Sequence, residues 1–150
     1  MPLEHDFKKF PELVGESLDQ FGWSSPHLQI FDDFSAKVTK VKDGDTINVN
    51  WSLRNFDFPV RFLNIAAPEL SEGGKASKKW LEAAILGENV DIEIDAKNRV
   101  GKWGRLLGII KHKGIDIGEA SILAGHSVAW AQRNDMRSPE IKADFEVKWP

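Results

Sequence analysis

The sequence predicts a mainly β domain, a five-stranded Greek-key barrel of the OB type carrying about three helices. Three observations predict it. Strand-like runs fall at 36–42, 45–51, 59–65, 90–95 and 105–111. A helical pattern lies between the third run and the fourth, where an OB barrel carries one. An Asp43-Gly44 pair joins the first two runs, and such a pair is a strong hairpin signal because both turn positions tolerate positive φ.

Each element has a local reason. Residues 1–35 form an extension to the barrel, with a short helix between Pro11 and Trp23 that Ser24-Ser25-Pro26 terminates. The domain proper runs over 36–150. Gly73-Gly74 opens a helix over 75–86 in which Ala76, Trp80, Ala83 and Ala84 recur at helical spacing, and Gly87 is placed to stop it. A short helix at 117–124, an extended piece near Val128 and a last helix from Ser138, with Pro139 in its first turn, complete the pattern. Trp51 and Trp80 read as core; Trp23, Trp130 and Trp149 carry no assignment.

Composition narrows the function classes. At 150 residues with 41% hydrophobic and 29% charged residues, the chain buries one core. There is no cysteine, which excludes disulfides and thiolate metal sites, and the four histidines are too scattered for a zinc cluster. The amino terminus has no apolar run resembling a secretion signal and no stretch is suited to cross a bilayer, so the expectation is an intracellular protein with no membrane partner. The net charge of −3 hides an asymmetry: residues 1–33 hold seven acids against two bases, leaving the remainder at +2. From Ala96 to Gly114 there are six cations and no acid. Such a run is usually a solvated face, and only its neighbours give it meaning.

Three charges stand out against the alternation. Asp45 shares parity with Ile47, Val49 and Trp51, Arg61 with Leu63 and Ile65, and Arg105 with Leu107 and Ile109, which places all three on the expected dry face. An unpaired buried charge is costly, so these groups need a cation, an anion or each other; a metal beside a phosphate satisfies all three. The segment from Arg61 to Ala67-Pro68-Glu69 puts a carboxylate eight residues after the arginine, and Lys102-Trp103-Gly104-Arg105 opens the fifth strand.

Taken in order, Asp43-Gly44-Asp45-Thr46-Ile47, Arg61 through Ala67-Pro68-Glu69, Gly74, Gly87-Glu88-Asn89-Val90, Lys102-Trp103-Gly104-Arg105-Leu106-Leu107-Gly108 and the stretch from Gly114 to Gly125 resemble the staphylococcal nuclease, or thermonuclease, family. The resemblance covers about residues 36–130. It implies a calcium-dependent nuclease on an OB barrel that hydrolyses single-stranded DNA or RNA. It further implies that Asp45 ligates the metal with the Ala67 main-chain carbonyl, that Glu69 acts as general base, and that Arg61 and Arg105 hold the scissile phosphate; Asp43, outside that carry-over, is a further candidate ligand. Lys102 and Trp103 are the candidate substrate contacts, and Trp103 either stacks on a base or packs the barrel end. Hard cations prefer oxygen donors, and guanidinium forks suit a phosphate that gains charge in the transition state.

Two departures accompany the match. Ala66 stands where the family pattern has a second metal-binding aspartate, and the chain has no tyrosine for the nucleotide pocket. The first implies a weakened metal site, and it is the ground for an alternative: a catalytically inactive nuclease-like module that binds nucleic acid or a protein partner. Against that alternative, carboxylates beside a phosphate repel it unless a cation intervenes.

Overall fold

The computed structural model describes residues 29–68, 70, 73–95, 97–101 and 105–130. The helices expected between Pro11 and Trp23 and from Ser138 lie outside these residues, as do Glu69, Lys102 and Trp103. Among the described residues the order is β1 (Phe34–Asp43), β2 (Thr46–Asn50), β3 (Phe58–Phe62), β4 (Ile65–Ala66), α1 (Gly74–Ile85), β5 (Asn89–Glu93), β6 (Leu106–His112), β7 (Ile115–Asp116), α2 (Ile117–Leu123) and β8 (Val128–Ala129). No helix among them is long and apolar enough to cross a membrane.

Five strands close on themselves. β1 pairs antiparallel with β2 and β5, β2 with β3, and β5 with β6, and a parallel β3–β6 pairing shuts the ring. The result is an OB-like barrel. Its interior is filled by Val38, Ile47, Val49, Phe58, Val60, Phe62, Ile92, Leu106 and Ile110, all within 1% of full burial. Leu81 and Ile85 of α1 belong to the same cluster, so α1 plugs one opening of the barrel. Around Trp51, at the end of β2 away from Asp45, Phe34, Phe56 and Phe58 pack ring on ring, and the Arg54 guanidinium lies 4.4 Å from the Phe58 centroid.

The face that α1 buries differs from the sequence expectation. Gly74, Ser77, Leu81 and Ile85 are buried, Trp80 and Ala84 pack partly, and Ala76 and Ala83 face outward. The small Gly74 and Ser77 allow close approach, and Ser77 Oγ donates 2.8 Å to the His126 carbonyl. Gly87, at φ 79°, ends the helix as expected, and its amide donates to the Val38 carbonyl.

The β1–β2 hairpin forms where Asp43-Gly44 predicts it, but for another reason. Asp43 pairs with Thr46 across a two-residue loop, and neither Gly44 nor Asp45 adopts a left-handed φ. Gly44 is required by proximity instead: a Cβ there would fall on Ser77 Oγ and 2.7 Å from Ala67 Cβ. The turn is thus clamped between α1 and the segment after β4.

β3 ends sooner than the expected 65. It stops at Phe62, and Asn64 at φ 71° turns the chain before the short β4. Asn tolerates this conformation better than most residues. β4 then pairs with β8, Ile65 with Ala129 and Ala66 with Val128, which makes a small second sheet beside the barrel mouth.

Candidate functional site

The break after Phe62 sorts the three charges. Asp45 is on the barrel's side of the alternation, in step with the fully buried Ile47 and Val49, and is 9% exposed. Arg61 and Arg105 are not. The inward residues of β3 are Phe58, Val60 and Phe62 and those of β6 are Leu106, Gly108 and Ile110, so Arg61, Leu63, Arg105, Leu107 and Ile109 have the opposite parity. The expectation that both arginines point into the core is corrected: they stand on the outer wall. Gly108 confirms the direction, since a Cβ on it would meet Ile92 Cγ2 at 2.6 Å inside the barrel.

That outer wall is the floor of a pocket of about 590 Å³, lined by Leu63, Leu107 and Ile109 below and by Arg61, Arg105 and Trp130 among the residues around them. The parallel register puts Arg61 beside Leu107. Asn64, Asp95, Asn98 and Gly101 complete the lining. An apolar floor with a few convergent polar groups is the usual make-up of a ligand site, and the volume falls in the range of ~300–1,000 Å³ typical of one.

Of the charges expected to act together, Asp45 and Arg61 form an ion pair and Arg105 lines the same pocket as Arg61, while Glu69 lies outside the described residues. The Asp45 carboxylate crosses the barrel rim: its Oδ2 accepts from Arg61 Nη2 at 3.2 Å and from the Ala67 amide at 3.0 Å, and its Oδ1 accepts from Thr46 Oγ1 at 3.1 Å. Asp43 Oδ1 accepts the Asp45 amide at 3.1 Å. Burial, together with the facing Asp45 carboxylate, pushes the Asp43 carboxyl up to about 7, against the Asp45 and Thr46 donors that lower it. Arg105 is pulled below its ordinary value, first by burial and then by Arg61, while Asp45 and Asp43 oppose the shift.

Arg61 is held rigidly. Its Nη1 donates to the Phe62 carbonyl at 2.8 Å and the Ile65 carbonyl at 3.1 Å, and its guanidinium sits 4.8 Å from the Trp130 ring centroid. With Nη2 on Asp45, the Nε–H and one Nη2–H remain from the five donors of a guanidinium. Trp130, 45% exposed, is positioned by its amide, which donates to the Asn64 carbonyl at 2.8 Å directly after β8.

The donor set fits a hard divalent cation in kind and falls short in number. Asp43 and Asp45 bring two carboxylates together, an arrangement that favours a cation, whereas Ala67 turns its amide and not its carbonyl to Asp45. Ala66 is buried and adds no ligand. Among the described residues no group of three His, Asp or Glu gathers around one point; Glu69 lies outside them.

Sequence reasoning left Trp130 unassigned and took Leu63, Leu107 and Ile109 for core. The hydrophobic signal of these residues was visible, but its side was not. For Trp130 the decisive fact is the β4–β8 pairing, two residues long and without a pattern of its own.

No protein-family model matches the chain. An uncharacterized protein of Bacillus anthracis is 29% identical over 108 residues, covering 67% of this chain and 50% of that protein, so the chain spans about half the length of the curated relative it matches.

Proposed function

We propose that the pocket takes one nucleotide of a single DNA or RNA strand and that the chain hydrolyses the adjoining phosphodiester with a divalent cation, calcium first. The carrying observation is that Arg61 and Arg105, from separate strands, line an apolar-floored pocket with Trp130, and that Arg61 is paired to Asp45, whose amide donates to Asp43. The resemblance of the motifs to staphylococcal nucleases and the OB-like barrel both support this reading.

In this reading Arg105 and the remaining Arg61 edge meet the phosphate oxygens, where charge builds in the transition state. Arg105 has the larger share, because Arg61 is already committed to two carbonyls and Asp45. Asp43, Asp45 and the Ala67 carbonyl would hold the cation, which when bound supplies positive charge beside the ester and a water of lowered pKa. Glu69 takes the proton from the attacking water. Trp130 supplies the stacking surface for the base, with Leu63 and Leu107 beneath. Lys102 and Trp103 add substrate contacts, and Ala66 makes the cation requirement high.

A specific observation favours a second reading, a binding module without cleavage. Arg61 already neutralises Asp45, and position 66 brings no carboxylate, so a cation would have to compete for an oxygen already engaged. One experiment separates the two: single-stranded DNA and RNA across calcium and magnesium series, with Glu69→Ala and Arg105→Ala in parallel. Cation-dependent cleavage lost in both variants supports the nuclease. Salt-sensitive binding without cleavage supports the module. Cleavage retained in both variants overturns the site.

A further inference from the structure

α1 carries a second cationic feature outside the pocket. Lys75, Lys78 and Lys79 fall at i, i+3 and i+4, on the flank of the helix beside the stripe of Gly74, Ser77, Leu81 and Ile85, with Lys75 and Lys79 exposed and Lys78 half-buried at its edge. With Leu70 and Glu82 they line a groove of about 260 Å³. Arg61–Asp45 and Lys111–Glu93 are ion pairs of the described residues, and none of the three lysines is paired with a described carboxylate. Leu70, also of the groove lining, is 41% exposed. Like charges one helical turn apart weaken a helix, and an apolar side chain left in water beside them adds nothing to folding. A ligand that is anionic at regular intervals and apolar between them accounts for both.

The groove adjoins the phosphate site through a short connection. Leu70 follows by three residues Ala67, whose amide binds Asp45, and three residues span at most about 11 Å. Ser77, on the first turn of the same helix, packs against Gly44 in the turn that carries Asp45. One OB fold commonly covers about 4–16 nucleotides of a single strand, so a strand seated in the pocket has length to spare for α1.

Resting on the function proposed above, we infer that the α1 groove is a second phosphate track. A strand held at Arg61 and Arg105 continues over α1, with its backbone on Lys75, Lys78 and Lys79 and a base against Leu70. Glu82, at the groove's edge, repels the backbone and limits the track.

The test measures binding of the full chain to a fluorescent single strand of about 20 nucleotides and to a dinucleotide, across a salt series. Each single-strand phosphate contact contributes about 0.7 to the slope of log K against log salt, so combining Lys75→Gln, Lys78→Gln and Lys79→Gln should reduce the slope for the long strand by about 2. Dinucleotide affinity should stay unchanged, which also shows that the variant is folded. Glu82→Gln should tighten the long strand alone. An unchanged slope, or a wild-type chain that holds the long strand no better than the dinucleotide, overturns the track and leaves the pocket standing. A wild-type chain that binds neither overturns both. Loss of long-strand binding in the lysine variant of a chain that never cleaves supports the track and rejects the nuclease.

Discussion

The two sides of the wall made by β3, β6 and Leu63 both carry apolar side chains, with unlike fates. Inward, Phe58, Val60, Phe62, Leu106 and Ile110 meet other side chains on every side and are shut off from water. Outward, Leu63, Leu107 and Ile109 are equally apolar, but what covers them is only the rim of a pocket with two arginines and a tryptophan at its edge. The inner face holds the barrel together. The outer face leaves apolar surface partly uncovered, a feature more typical of binding sites than of cores.

The difference can be broken from either side. Phe62→Ala should cost about 3–5 kcal/mol of stability by leaving a cavity in a well-packed interior, read as a lower urea midpoint. Arg105→Ala, on the outer face, should lower kcat about 10²–10³-fold, the effect of losing one preorganised donor. Its unfolding midpoint should hold or rise, because Arg105 is charged against both burial and Arg61. Equal losses of stability in the two variants would erase the distinction between the faces. Trp130→Ala should weaken strand binding by about 1–3 kcal/mol, measured by titration, if its ring stacks on a base.

Two changes at the rim sharpen the same contrast. Ala66→Asp places a carboxylate at a buried position next in sequence to Ala67, whose amide holds Asp45. Without a cation it should destabilise the fold; with calcium it should recover stability, bind the ion more tightly and cleave faster. No change in ion binding would locate the cation elsewhere. Asp43→Asn addresses pH. A carboxyl raised from 3.8 to about 7 in the folded state binds more protons folded than unfolded, so its contribution to stability falls as pH rises from about 4 to about 7 and is level above. Asp43→Asn should flatten that part of the curve of urea midpoint against pH. In the wild type, cation binding should weaken below about pH 7, where Asp43 takes up a proton.

The elements were legible because their signals are local. The strands and both described helices lie within a few residues of where alternation, helical spacing and Gly87 put them. The sidedness was not legible. β3 and β6 are apolar at both parities, and Gly108 looks like a gap in the inward row although the crowding of Ile92 is what demands it. On α1 the alanines drew attention to the wrong stripe, since Gly74 and Ser77 are buried for being small and not for being hydrophobic. The hairpin was found from Asp43-Gly44, but the glycine answers to Ser77 and Ala67 and not to the turn.

The chain's residue order alone settled a barrel with a helix between its third and fourth ring strands, and it singled out Asp45, Arg61 and Arg105 as charges in need of partners. Folding settled who those partners are. The Asp45 carboxylate is bound by an amide 22 positions away, and the Trp130 wall stands where β8 meets β4. Turn chemistry and periodicity act over a few residues, whereas a pocket is made by pairings across the whole ring. Which face of a two-sided strand is wet depends on what packs against it, and that is decided only once the ring has closed.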